Sequence, residues 1–404
     1  MSTSKKKILL VWNYKRADWI SPFVNLSDKF EFVFLSQKRA DHDDVSIDIE
    51  RIYWYDFPNC NALLKQVRPD KIVFMSLVHG LDIVLNITAK SKNIPTYHLQ
   101  HGLTLDSDSY DKYRSYWQTK SDYKKKVITT NRVKKLGNSL KELSYYINLA
   151  LRFPILALKL LYYFFLKLRH GEIVALSKFS FAGMHPDKAI SYTKQNAEIL
   201  KSREKFPEEI FTYIGNPTLD DFFKSFEVSE QEKPFLLVLE TALVRNDDQK
   251  GDEGISTDQI ISFYKDINDY ALRNDLKLKI KRHPYSWSQP YLYSHQNIQF
   301  IDEGDLVELI RESNMIIGFR STAMIPAIYH KNCVLITIYE NNFDQYLKEK
   351  GLAQVINFSD FAADSIDFSI LNRSKDKMDE FVNKYIYQPD GRSTERLGDI
   401  LNQS

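Results

Sequence analysis

Short apolar runs that alternate with polar segments of helical period constrain this chain more than any other feature. In the first hundred residues "KILLVWN", "FEFVFLS", "ERIYWYD", "DKIVFMSL" and "IPTYHLQ" are runs of strand length. "NALLKQV" and "GLDIVLNITAKSKN" separate the later ones, with apolar residues recurring at three and four. Parallel strands need helical crossovers, so this alternation predicts a parallel sheet with helices on both faces. The pattern restarts in the second half. "FTYIGNP", "KPFLLVLET", "LKLKIKRHP", "MIIGFRS" and "CVLITIYE" read as strands. "STDQIISFYKDINDYALRND", "DLVELIRESN" and "TAMIPAIYHKN" read as helices, the first capped by Ser256 or Thr257. The expected fold class is α/β, with two doubly wound domains and a ligand cleft between them. A length of 404 residues suits two cores better than one.

The expected boundaries are 1–123 for an N-terminal domain, 124–170 for an inserted segment and 171–210 for the rest of that domain with a linker. Residues 211–375 form the second domain, and 376–404 form two terminal helices that pack back across the first. A net charge of +2 gives no general call for nucleic acid, which is not an expected partner. Cys60 and Cys333 are far apart and read as buried thiols in a reducing compartment. The opening "MSTSKKKILLVWNY" has an apolar run too short for a signal peptide, so the expected location is cytoplasmic.

Residues 124–169 follow neither domain's pattern. They carry eleven Lys and Arg against a single acid, Glu142. Arg152, Pro154, Lys159 and Lys167 interrupt the apolar stretch from Ile147 to Leu168, which rules out a spanning helix. A basic segment rich in Leu, Phe and Tyr is suited to lie in a membrane interface, on anionic lipid at the inner face of the cell membrane. Burial of an apolar helix between domains is the competing expectation.

In open parallel sheets, ligands bind beyond the carboxyl ends of the strands. Several polar residues fall at such ends. "FMSLVHG" places Ser76 and His79 there, and "IPTYHLQHGLT" places His101 and Gly102. Gly215 and Asn216 follow the "FTYI" strand. A neutral imidazole at a strand end can take a proton from a hydroxyl, which makes His101 the candidate catalytic base. His98, two to three residues earlier, reads as a core histidine. Asp106, Asp108 and Asp82 are reserve bases. In "KRHPYS", Lys281, Arg282 and His283 precede the ladder-ending Pro284, a group suited to phosphate. Lys281 and Arg282 alternate in direction, so at most one of them reaches the site. In "GFRSTAM", Arg320, Ser321 and Thr322 sit at a strand-to-helix junction, where free N–H groups favour an anion. No acidic pair at a strand end has the look of a metal clamp, and neither a metal nor a cofactor is expected.

The order "QHG", "YIGNPTLD", "KRHP" and "DLVELIRESNMIIGFRSTAMIPAIYHKNCVLI" resembles bacterial two-domain GT-B transferases of surface polysaccharides. These include the CDP-glycerol glycerophosphotransferases of teichoic acid synthesis and the capsule-type glycosyltransferases. Bacterial sialyltransferases share the His-Pro and paired-hydroxyl features. The resemblance covers roughly residues 70–115 and 185–340. It implies two Rossmann-like domains, with His283, Ser321 and Thr322 on the phosphate of a cytidine nucleotide and His101 as base. It also implies a nucleotide-sugar donor, a CMP-sugar first, and a polysaccharide or lipid-linked glycan acceptor. Alternatives are a polyol-phosphate transferase, a UDP-sugar 2-epimerase-like enzyme and a non-catalytic scaffold of polysaccharide assembly on the membrane. Phe319-Arg320 stand where the glycerophosphotransferases carry Asp-Tyr, which disfavours a polyol-phosphate donor. The acidic-acidic-Gly triplets Asp252-Glu253-Gly254 and Asp302-Glu303-Gly304 lie in the second half, whereas the sialyltransferases carry theirs in the first domain. Neither is assigned as base.

Overall fold

A computed structural model describes residues 5–12, 17–36, 49–105, 132–224, 234–241, 256–283, 293–338 and 341–403. The chain forms two compact units, Met1–Asp220 with Tyr387–Ser404, and Asp221–Ile386.

The first unit is built on seven parallel strands: β1 (Lys6–Val11), β2 (Phe30–Ser36), β3 (Glu50–Tyr53), β4 (Lys71–Phe74), β5 (Thr96–Leu99), β6 (Lys188–Ser191) and β7 (Phe211–Tyr213), in the order β3-β2-β1-β4-β5-β6-β7. Side chains alternate across the sheet as the pleat requires. Ile8 and Leu10 enter one core, with Phe23, Phe32 and Phe34. Leu9 and Val11 enter the other, with Leu63, Ile83 and Leu85. Both faces are therefore buried, which explains why β1 and β4 read as continuous apolar runs.

The strand Phe211–Tyr213, expected to open the second domain, pairs instead with β6 and completes the first sheet. The terminal helices separate. Lys375–Tyr385 belongs to the second unit, whereas Ser393–Asn402 belongs to the first, where Leu397, Ile400 and Leu401 join the core of β1. The Asp220 carboxylate holds that helix start, accepting the N–H groups of Ser393 (2.8 Å) and Thr394 (2.7 Å).

The second unit repeats the plan with six parallel strands: β8 (Phe235–Leu239), β9 (Lys277–Lys281), β10 (Ile298–Ile301), β11 (Met315–Phe319), β12 (Cys333–Thr337) and β13 (Gln354–Asn357), in the order β10-β9-β8-β11-β12-β13. Ser256 is the cap of helix Thr257–Arg273, in a full capping box with Gln259. Gly318 on β11 admits the following helix closely: a Cβ there would collide with Met324 Sδ. Both cysteines are buried and unbridged, and burial pushes the Cys333 thiol up to about 12.

The inserted segment forms two helices, Arg132–Arg152 and Pro154–His170, with Pro154 at the first position of the second helix. One face is core. Tyr145, Leu149, Leu160, Tyr163 and Leu166 are buried against Trp54, Val78 and Leu81. The Tyr145 hydroxyl donates to the Trp54 carbonyl at 2.6 Å, and the Tyr163 hydroxyl to the Val78 carbonyl at 3.2 Å. The opposite face is an exposed apolar stripe, Ile147, Leu151, Ile155, Leu158, Leu161, Phe165 and Leu168, with Leu151 at 80% and Leu168 at 89% exposure. Among the described residues no helix is long and apolar enough to cross a membrane.

Candidate active site

In both sheets the strand order reverses beside the first strand, between β1 and β4 and between β8 and β11. In open parallel sheets such a point of reversal is where ligands bind. The predicted residues divide between the two sheets. Ser76, His79, His101, Gly215 and Asn216 belong to the first unit, and Lys281, His283, Arg320, Ser321 and Thr322 to the second. Asp106, Asp108, Pro284 and the triplet Asp252-Glu253-Gly254 lie outside the described residues.

His101 follows β5 and is half-buried. Gly102 has φ 72°, and a Cβ there would meet nothing within 4 Å, so the backbone angle and not crowding calls for glycine. A buried amide network holds the turn from below. Gln100 Nε2 donates to the Gly102 carbonyl (2.9 Å) and to Asn196 Oδ1 (2.6 Å). Its Oε1 accepts the Ser191 hydroxyl (2.8 Å) and the Tyr192 N–H (2.9 Å). Asn196 Nδ2 donates to the Thr104 carbonyl at 2.5 Å. Two amide side chains thus fix the backbone on both sides of Leu103. Two indoles flank the imidazole, with ring centroids 5.3 Å away for Trp12 and 4.2 Å for Trp19. His98 is a core residue, 3% exposed and edge-on to Phe206 at 5.2 Å.

The other first-unit candidates differ in setting. Ser76 is buried at the end of β4, and its Oγ has no partner among the described residues. His79 is exposed just before helix Gly80–Lys90. Asn216 caps the short turn Pro217–Leu219 through Thr218 N (3.1 Å), which ties it to local structure. Asp82 faces the core beneath the inserted helices. Burial holds its carboxyl well above the usual range, and the Lys167 charge offsets this in part.

In the second unit, Glu240 follows β8 and organises its neighbours. One oxygen accepts the His283 N–H at 3.2 Å, and the other accepts the Tyr264 hydroxyl at 2.6 Å. Burial first, then the Glu240 charge, pushes the Tyr264 phenol up, so this bond keeps its proton on Tyr264. Lys281 Nζ donates to the Asp302 carbonyl, and buried Arg282 pairs with the Asp302 carboxylate at 3.3 Å. The Asp302 triplet therefore braces β9 against β10. His283 and Arg320 emerge after β9 and β11, on either side of β8. Strand spacing puts those ends about 10 Å apart. Ser321 and Thr322 are exposed, and Ser321 Oγ also accepts the Ala323 N–H at 3.2 Å. Among the described residues no three His, Cys, Asp or Glu side chains converge as metal ligands.

Sequence reasoning missed Gln100, Asn196, Trp12, Trp19 and Glu240. Gln100 stands next to His101 and was legible as part of "QHG". Asn196 is almost a hundred residues away and carried no signal.

No protein-family model matches the chain, and no curated protein sequence does. Solved structures do match it along its whole length. The glycosyltransferase of kitacinnamycin superposes with a TM-score of 0.53 at 9% identity, covering 99% of each chain. The calicheamicin glycosyltransferase CalG4 gives 0.52 at 11% identity, covering 99% of this chain and 98% of its own. A variant of the wall teichoic acid polymerase TagF gives 0.51 at 13% identity, over 98% and 88%. Two parallel sheets with flanking helices, similar to these proteins throughout, are the GT-B fold.

Proposed function

We propose that this GT-B chain is a glycosyltransferase, moving a sugar from a nucleotide-activated donor to a cell-surface polysaccharide or a lipid-linked glycan. The observation that carries the reading is the strand-end grouping in the second unit, where His283, Arg320, Ser321 and Thr322 flank β8 at the point of reversal. A guanidinium, an imidazole and two hydroxyls suit a phosphate leaving group, with a CMP-sugar the first choice of donor. Likeness to two glycosyltransferases and a polymerase over nearly the full chain supports the same reaction class. His101 is the proposed base. As the acceptor oxygen attacks the anomeric carbon, the imidazole takes its proton and the bond from sugar to phosphate breaks. The nucleotide leaves with that electron pair, and its new charge meets Arg320, His283 and the hydroxyls.

The exposed stripe on helices Arg132–Arg152 and Pro154–His170 supports work at the inner face of the cell membrane. Apolar side chains with Arg152, Lys159 and Arg169 beside them suit an anionic lipid surface. Lys167 differs, because its ammonium is held by Glu172 at 2.5 Å.

Thermal unfolding with CMP, CDP, UDP and GDP tests the donor, since a ligand of the folded state raises stability by RT ln(1 + [L]/Kd). A rise with cytidine nucleotides that His283→Ala reduces is expected. No rise with any nucleotide would refute the reading. Preferential stabilisation by CDP-glycerol over CMP-sugars would move it to polyol-phosphate transfer.

A further inference from the structure

Three residues that the reading above leaves unused lie at or beside the reversal of the first sheet, two of them against His101. Trp12 follows β1, Trp19 lies in helix Ala17–Val24, and Ser76 follows β4, the neighbour of β1. The two indoles enclose the imidazole, Trp19 nearly perpendicular to it (84°) and Trp12 tilted (49°). Contact on two sides restricts the rotation of the imidazole ring and so its aim. Two polar atoms at these adjacent strand ends, Trp12 Nε1 and Ser76 Oγ, are buried and have no partner among the described residues. Ser76 is 6% exposed. The contrast with Gln100 one strand away is sharp, because that buried amide uses all its capacity within the fold. Buried polar groups are nearly always bonded, so an orphaned N–H and hydroxyl at a ligand-binding strand end point to a ligand.

We infer that Trp12, Trp19 and Ser76 bind and align the acceptor at His101. The inference rests on the transferase reading for its substrate. Trp19 is a positioning residue for the imidazole. Trp12 Nε1–H donates to an acceptor hydroxyl, and Ser76 Oγ donates to or accepts from another. Neutral hydrogen-bonding groups beside indole rings suit a ring with many hydroxyls and an apolar C–H face, that is, a sugar.

Indole fluorescence of the full-length protein tests this without any turnover. A pH titration is expected to show quenching as the imidazole beside the indoles gains its proton, with the transition absent in His101→Gln. Titration with free N-acetylglucosamine, galactose and glycerol is expected to give a saturable change for at least one sugar. Trp12→Phe, which keeps a ring but removes the N–H, and Ser76→Ala should each weaken that binding roughly 3–10-fold, the worth of one neutral hydrogen bond. Saturable binding that both variants leave unchanged, or no saturable binding of any probe, would overturn the assignment of the two groups. In transfer assays Trp19→Ala should lower kcat and move the acid limb of the pH profile, with Trp19→Phe restoring most of both. An unmoved pH profile would reduce Trp19 to a packing role. Sugar binding that persists while no nucleotide donor supports transfer would sink the transferase reading and leave this one standing.

Discussion

Gln100→Ala is the substitution that most directly tests how the His101 turn is held. Gln100 is 4% exposed and makes four hydrogen bonds. Their loss is not uniform. The Gly102 carbonyl belongs to an exposed residue and regains water, and the Ser191 hydroxyl keeps the Thr193 carbonyl at 3.2 Å. The Tyr192 N–H and Asn196 Oδ1 are left buried and without their partner. Each such orphan costs about 1–3 kcal/mol, so the variant should be less stable by about 2–6 kcal/mol. Urea unfolding followed by tryptophan fluorescence measures this, since Trp12 and Trp19 report on the same turn. Where the variant remains folded, turnover should fall while nucleotide affinity holds, because the donor residues belong to the other unit. A loss below about 0.5 kcal/mol would refute the reasoning, since it would mean the network is worth no more than an ordinary surface contact.

His101→Ala should lower turnover by about 10²–10⁴ in initial-rate assays, with nucleotide affinity retained, and near-normal turnover would move the base to Asp106 or Asp108. His283→Ala and the pair Ser321→Ala/Thr322→Ala should each weaken nucleotide binding by about 1.5–3 kcal/mol in calorimetric titration, and unchanged affinity in both would sink the donor assignment. Replacing Arg152, Lys159 and Arg169 with Glu should release the protein from anionic liposomes in flotation, at roughly 1 kcal/mol per basic residue. Flotation insensitive to these changes and to salt would argue that the stripe meets another protein surface instead. Asp82 has a raised folded-state pKa, so the folded protein retains a proton that the unfolded chain releases above about pH 3.9. Its contribution therefore falls as pH rises through that value toward the folded pKa. Asp82→Asn removes this dependence, and its advantage in urea unfolding should be larger at pH 8 than at pH 5. An equal difference at both would show that Asp82 does not titrate between them.

Much of the architecture was legible because burial on both faces of a parallel strand leaves an unbroken apolar run. β1, β2, β4, β8, β11 and β12 announced themselves that way, whereas β9 showed as the alternation KLKIK. Helix Thr257–Arg273, whose cap is local to Ser256 and Gln259, showed itself as well. β6, β10 and β13 did not, because KAIS, IQFI and QVIN hold no more than two apolar residues in succession, too little pattern to separate from a loop. Periodicity also says that a face is buried without saying against what. The inserted helices show the consequence: apolar on most sides, they bury Tyr145 and Tyr163 in the first core and still present Leu151 and Leu168 to solvent.

The strand-end placement of His101, His283 and Arg320 was likewise a sequence property, since each follows within two residues of a strand segment readable in the sequence. What surrounds them was decided by the tertiary structure alone. Asn196 reaches the His101 turn across more than ninety residues, Glu240 reaches the His283 backbone across forty-three, and Asp220 holds a helix start one hundred and seventy-three residues away. Such contacts follow from which strands become neighbours in a sheet. Strand order is set by the summed burial of whole elements, and no local run of residues records it.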